Sequence, residues 1–250
     1  MTPALSVRGL SKSFDALKVS DAITFDLAEG EIHAIIGPNG AGKTTLIHQL
    51  SGSLAPDAGR ILLGGEDITR LSMAARARRG LARSFQITSI LPGFTALENV
   101  ALAVQARSGS SFRFLRPAAS ERALNEAAAA ALAAAGLCGT EGRIAGTLSH
   151  GEKRQLEIAI ALAMQPKVLL LDEPLAGTGH RESAALLQLI AGLKGRLSIV
   201  LIEHDMEAVF ALADRISVLV YGRVIATGRP EAIRADAEVR AAYLGDEEES

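Results

Sequence analysis

An α/β fold with a mostly parallel sheet is what this 250-residue sequence predicts, and three observations carry that expectation. Apolar runs of strand length recur at Glu31–Ile36, Lys167–Leu171 and Ser198–Glu203, helical spacing fills the segments between them, and a glycine-rich turn joins the first run to a helix. The chain is long enough to bury a large core, and it suits one α/β domain with a subdomain better than several independent domains. With 48% hydrophobic residues but only 4% aromatics, that core is expected to be built from Ala, Leu, Ile and Val.

Ala4–Gly9, Asp21–Leu27 and Glu31–Ile36 read as the first strands, with turns at Ser11-Lys12-Ser13 and Ala28-Glu29-Gly30. The third strand runs into Gly37-Pro38-Asn39-Gly40-Ala41-Gly42-Lys43-Thr44-Thr45, a match to G-x-x-x-x-G-K-[ST], and Thr45–Leu50 continues at helical spacing. Glycines let successive backbone N–H groups face one centre. There Lys43 can neutralise β/γ-phosphate charge, the Thr44 hydroxyl can ligate Mg²⁺, and the helix start adds its positive dipole end. From about Thr88 to Gly146 the character changes to helices and loops, including Arg107–Ser111 and Arg116-Pro117. Ala127–Ala135 reads as part of a packed helix begun near Ser120 and stopped by Gly136, well short of the ~20 apolar residues that span a bilayer.

Leu148-Ser149-His150-Gly151-Glu152 opens a helix that continues through Glu157 and Ala161. Ser149 and Glu152 match a capping box, and a capped start with a nearby Gly is also suited to approaching phosphate. The next strand ends in Asp172-Glu173-Pro174, and ligand sites of α/β sheets lie at the carboxyl ends of strands. Asp172 is placed to organise Mg²⁺ and Glu173 to polarise a water, with Pro174 biasing Glu173 toward an extended backbone. Ser198–Asp205 repeats the strand-end pattern and makes His204 a candidate γ-phosphate or water-positioning group. A last strand pair is expected near Ile216–Leu219 and Arg223–Ala226, and Gly245–Ser250 reads as a solvated acidic tail.

The formal net charge of −2 supplies no global attraction to nucleic acid or acidic lipid, so any membrane link must be a protein contact. Cys138 is the only cysteine, which rules out an internal disulfide and fits a reducing compartment; it reads as a small buried hydrophobe. The N-terminal residues lack the basic start and apolar core of a targeting segment.

Taken in order, the phosphate loop, Leu148–Glu152, Asp172-Glu173-Pro174 and His204 resemble the ATP-binding subunits of ABC transporters, and the resemblance covers essentially the whole chain. It implies a P-loop ATPase core with a mostly parallel sheet, an N-terminal antiparallel β part and an inserted helical subdomain. The core is expected at 1–87 and 160–250, and the insertion with the signature motif at 88–159. The resemblance also implies that Phe14 lies against adenine and that Gln86, in Arg83-Ser84-Phe85-Gln86, is the Q-loop glutamine near Mg²⁺. ATP is then sandwiched between two cassettes. Gly37–Thr45, Asp172, Glu173 and His204 lie on one side, and Ser149 and Gly151 come from the partner's equivalent segment.

More narrowly, Leu148–Ile158, Glu203-His204-Asp205-Met206, Leu91–Val100 and Ala241–Gly245 look like the branched-chain amino-acid uptake ATPases. His150 and Glu152 replace the Gly and Gln of the common LSGGQ signature, and Gly179 stands where most relatives carry a D-loop Asp. The implied partners are two membrane permeases contacted through Ile87–Glu98, a second cassette, and a periplasmic or extracellular solute-binding protein. The implied location is the cytoplasmic face of the plasma membrane. Competing readings are cassettes for urea or amide uptake or for lipopolysaccharide export, and a soluble ABC ATPase acting on DNA or ribosomes. The last is disfavoured by the single cassette and the lack of a basic tract. No guanine-reading Asn-Lys-x-Asp motif is present.

Overall fold

The computed structural model describes residues 2–84, 90–108 and 122–241. Two sheets organise them. The first has the order β2-β1-β4-β5, from β1 (Leu5–Phe14), β2 (Leu17–Leu27), β4 (Ala58–Leu63) and β5 (Glu66–Asp67), with antiparallel pairing throughout. The second has the order β10-β9-β3-β8-β7-β6, from β3 (Ile32–Ile36), β6 (Leu81–Arg83), β7 (Val168–Asp172), β8 (Ser198–Ile202), β9 (Arg215–Val220) and β10 (Arg223–Gly228). Only its β9–β10 edge is antiparallel. This is the α/β architecture that the sequence predicts.

The central strands read as unbroken apolar runs because both of their faces are covered. Leu169, Leu171, Ile199 and Leu201 join Ile32, Ala34 and Ile36 in a cluster that packs on α6 (His180–Leu193) and α7 (Met206–Leu212). The alternate residues Val168, Leu170, Val200 and Ile202 face the other way, onto Leu46, Ile47 and Leu50 of α1 (Lys43–Ser51). That same cluster takes in Leu5, Val7, Leu10, Ile23 and Phe25 of the antiparallel sheet. The helix that follows the glycine-rich loop is therefore enclosed between the two sheets.

A third cluster lies apart from the sheets. It joins α3 (Ala96–Ser108), α4 (Arg122–Ala134) and one face of α5 (His150–Ala163) through Val100, Val104, Leu124, Leu132, Leu156 and Ala159. Ile158 and Ala161 on the opposite face of α5 belong to the sheet cluster. One helix thus serves two cores.

Three expectations are corrected. Ser11-Lys12-Ser13 is not a turn but the outer part of β1. Gly9 at φ 58 and successive register shifts against β2 absorb the irregular polar stretch as bulges, and the chain reverses at Asp15, φ 50. Cys138 is exposed rather than buried, because Gly136 and Gly139 both turn the backbone at positive φ and Leu137 between them takes the inward position. Glu173 is not extended but left-handed, at φ 47. Tertiary bonds outweigh the local effect of Pro174 there: Glu173 N donates to Ile202 O at 2.8 Å, and Ala176 N closes a turn onto Glu173 O at 3.1 Å. Arg116-Pro117 and the acidic tail lie outside the described residues.

Candidate active site

Because β3, β6, β7, β8 and β9 run parallel, their carboxyl ends share one edge of the sheet, where α/β folds place ligand sites. β3 delivers the loop Gly37–Gly42 to that edge. Its close packing demands glycine at two points: a Cβ on Gly37 would lie 2.0 Å from Leu219 O, and one on Gly42 2.5 Å from Val19 O. Gly42 caps α1 with no side-chain bond of its own, so the first amides of the helix keep donors for an anion. Lys43 folds back over the loop, donating to Gly37 O and, at 3.0 Å, to Pro38 O. Burial lowers its pKa, opposed by the charges of Glu173 and Asp172. Pro38 is half-buried, Ala41 is buried, Asn39, Gly40 and Thr44 are exposed, and Thr45 is half-buried.

β7 ends in Asp172, 3% exposed, with Glu173 half-buried beyond it. Asp172 Oδ2 receives Arg83 Nη2 from the end of β6 at 2.8 Å. Next to it, β8 leads to Glu203, 1% exposed, and to His204, whose side chain is 62% exposed with Nδ1 3.8 Å from Glu203 Oε2. The structure thus brings the phosphate loop, Asp172, Glu173 and His204 to one sheet edge. Phe14 stands near the tip of the β1–β2 hairpin, 47% exposed, with Lys12 Nζ 5.7 Å from its ring centroid. A core role is excluded for it. Gln86 lies outside the described residues, as do the first residues of the Ile87–Glu98 segment.

Ser149 and Gly151 stand elsewhere, at the start of α5. Ser149 caps the helix: its side chain accepts from Glu152 N, and Glu152 returns a bond to Ser149 N at 2.7 Å. Glu152 also pairs with Arg143. The Ser149 hydroxyl donates to Glu182 Oε1 of α6 at 2.7 Å, and Glu182 lies over Gly151 so closely that a Cβ there would be 2.6 Å from its own Cβ. The Ser149 bond and the amides of Gly151 and Gly179 hold the Glu182 carboxyl below the usual carboxylate range. His150 Nε2 would be 3.1 Å from a Cβ on Gly177, so a larger residue in that turn would meet the imidazole. Among the described residues no hydrogen bond joins Ser149 or Gly151 to the phosphate loop.

Sequence reasoning missed Arg83, Glu182 and Glu203. Arg83 and Glu203 flank motif residues, and a charge at the end of an apolar strand is the only signal either one leaves. Glu182 left only an acidic residue in the first turn of a helix, the position that complements the helix dipole.

Comparison with known proteins is consistent with this geometry. A family model described as "ABC transporter" matches residues 20–176, and one described as "Branched-chain amino acid ATP-binding cassette transporter" matches residues 223–249. The chain is 39% identical to the high-affinity branched-chain amino acid transport ATP-binding protein BraF of Pseudomonas aeruginosa, over 98% of each chain. It is equally similar, over the same coverage, to the corresponding protein LivG of Escherichia coli K12. A crystal structure of the ADP conformation of MJ1267, an ATP-binding cassette of an ABC transporter, superposes with a TM-score of 0.85 at 29% identity, covering 98% of this chain and all of that one.

Proposed function

The chain belongs to the ABC transporter ATP-binding family, ATPases that drive transport, and from this premise we propose that it powers the uptake of branched-chain or related hydrophobic amino acids. The observation that carries the cargo class is the match of residues 223–249 to the branched-chain transporter model, a segment separate from the general ATPase motifs. Residues 1–87 and 160–250 then form the nucleotide-binding core, and 88–159 the helical insertion.

ATP stacks on Phe14 and lays its phosphates along Gly37–Thr45, with Lys43 leaving the carbonyls of Gly37 and Pro38 for phosphate oxygens. Thr44 and Asp172 would hold Mg²⁺, and the family resemblance adds the Gln86 amide as a ligand. Hydroxyl, carboxylate and amide are the hard oxygen donors this ion takes, and when bound it offsets phosphate charge. Arg83 balances the buried Asp172 carboxylate. Glu173 accepts a hydrogen bond from the attacking water, and His204 orients that water or the γ-phosphate. Ser149 and Gly151 face the nucleotide of a second cassette, so closure exchanges the Glu182 carboxylate for phosphate at the start of α5.

The remaining partners are two permease subunits and a solute-binding protein, and the chain sits at the cytoplasmic face of the membrane through its permease contacts. Among the described residues no helix is long and apolar enough to cross a membrane. The test is reconstitution with cognate permeases, a second cassette and a solute-binding protein, followed by ATPase and uptake assays in proteoliposomes. Leucine, isoleucine or valine is expected to stimulate both. Stimulation by a short amide or urea alone would reassign the cargo.

A further inference from the structure

We propose that Glu203 is a positioning residue for ATP hydrolysis: its buried carboxylate clamps the turn that carries Glu173 to the segment that carries His204. The proposal rests on the reading of Glu173 and His204 as the hydrolytic groups. Glu203 is 1% exposed, and its two oxygens serve two different segments. Oε1 accepts from Leu175 N at 2.8 Å, across 28 residues of sequence. Oε2 accepts from His204 N at 3.0 Å and lies 3.5 Å from Asp205 N. A carboxylate removed from water is costly unless its lone pairs are used, and here they are used on backbone amides that flank both candidate hydrolytic residues.

The Glu173 backbone explains why a clamp is needed. A non-glycine residue in the left-handed region is strained by its Cβ, and such a conformation persists only where its surroundings over-determine it. Glu173 at φ 47 is held by its own N–H on Ile202 O, by the Ala176 turn, and two residues on by Leu175 on Glu203. A neutral residue of the same shape cannot accept from both amides. An amide side chain has one oxygen, and its NH₂ would confront the second N–H donor. Burial pushes the Glu203 carboxyl up, while the Leu175, His204 and Asp205 amides draw it down.

The test uses the full-length chain with Glu203→Gln, measuring its ATP affinity by equilibrium titration and, in the complex reconstituted with permeases and second cassette, hydrolysis at saturating ATP. The expected result is a kcat lowered on the order of 10-fold to 10²-fold, as for a small misplacement of reacting groups, with ATP affinity within about 2-fold of wild type. Combining Glu203→Gln with His204→Ala is expected to cost little more than the worse single change, because both act through one geometry. If Glu203→Gln does not fold by circular dichroism, Glu203→Asp, with both oxygens on a shorter stem, carries the same expectations. An unchanged kcat, a kcat loss matched by an equal affinity loss, or full additivity would overturn the proposal. Glu173→Gln run alongside separates the two levels. If it is inactive while Glu203→Gln is unimpaired, only the clamp fails; if Glu173→Gln turns over like wild type, the reading of the site fails with it.

Discussion

Lys43 rests its ammonium on the main-chain carbonyls of Gly37 and Pro38, a partnership of modest strength that, on the proposed reading, a phosphate replaces with full opposite charge. Truncating it to Ala removes a charge-assisted contact of about 1.5–3 kcal/mol, so ATP affinity should fall roughly 10-fold to 10²-fold. Unchanged affinity of a folded Lys43→Ala protein in a nucleotide titration would remove the assigned role. Glu173→Gln keeps size and hydrogen bonding but not the carboxylate. ATP binding should survive while turnover falls on the order of 10²-fold or more, and a wild-type ATPase rate would show that another group activates water. What could be read of the site from sequence was what is contiguous: the loop, Asp172-Glu173 and the Ser149 cap. Arg83 meets Asp172 across 89 residues and Glu182 meets Ser149 across 33, and no local pattern specifies such pairings.

The central strands and the helices were legible because burial on both faces or on one face leaves a periodic signature. The inner parts of β1 and β2 were legible at Ala4–Gly9 and Asp21–Leu27, but their outer parts and the reversal at Asp15 were not, since the bulges break the alternation, and neither were the polar links between the sheets. One such link is His33 on β3, fully buried, bonded to Asp26 O of β2 at 3.1 Å and to Ser217 of β9 at 2.8 Å. Burial lowers its pKa from 6.5 to about 4, against Glu31 and Asp26, which raise it, and together with Arg215, which lowers it. The unfolded chain therefore binds the proton first as pH falls. Stability tied to His33 is fully present above pH 6.5 and is lost on going down to about 4, by roughly 3 kcal/mol. Glu157 and Glu203, whose carboxyls are raised by burial, act in the opposite sense. The check is the difference in melting temperature between wild type and His33→Gln across that range: the variant should lose the His33 slope, and parallel profiles would remove His33 from the account.

At the scale of the molecule, the proposed site, which borrows Ser149 and Gly151 from another chain, must depend on encounter. The isolated protein should hydrolyse ATP slowly, with a specific rate that climbs with protein concentration and climbs further with its permeases and second cassette. A full, concentration-independent rate from a demonstrated monomer would refute the shared site. The division of the interior into three clusters, with α5 common to two of them, has a consequence of another kind. Amide hydrogens of α3 and α4 answer only to their own small core, whereas those of β3, β7, β8 and α1 answer to the sheets. In native-state hydrogen exchange the former should open at a lower free energy than the latter, with α5 following the sheets. A single uniform opening energy would contradict this. On that expectation the helical layer opens locally without unseating the strand and helix that carry the phosphate loop.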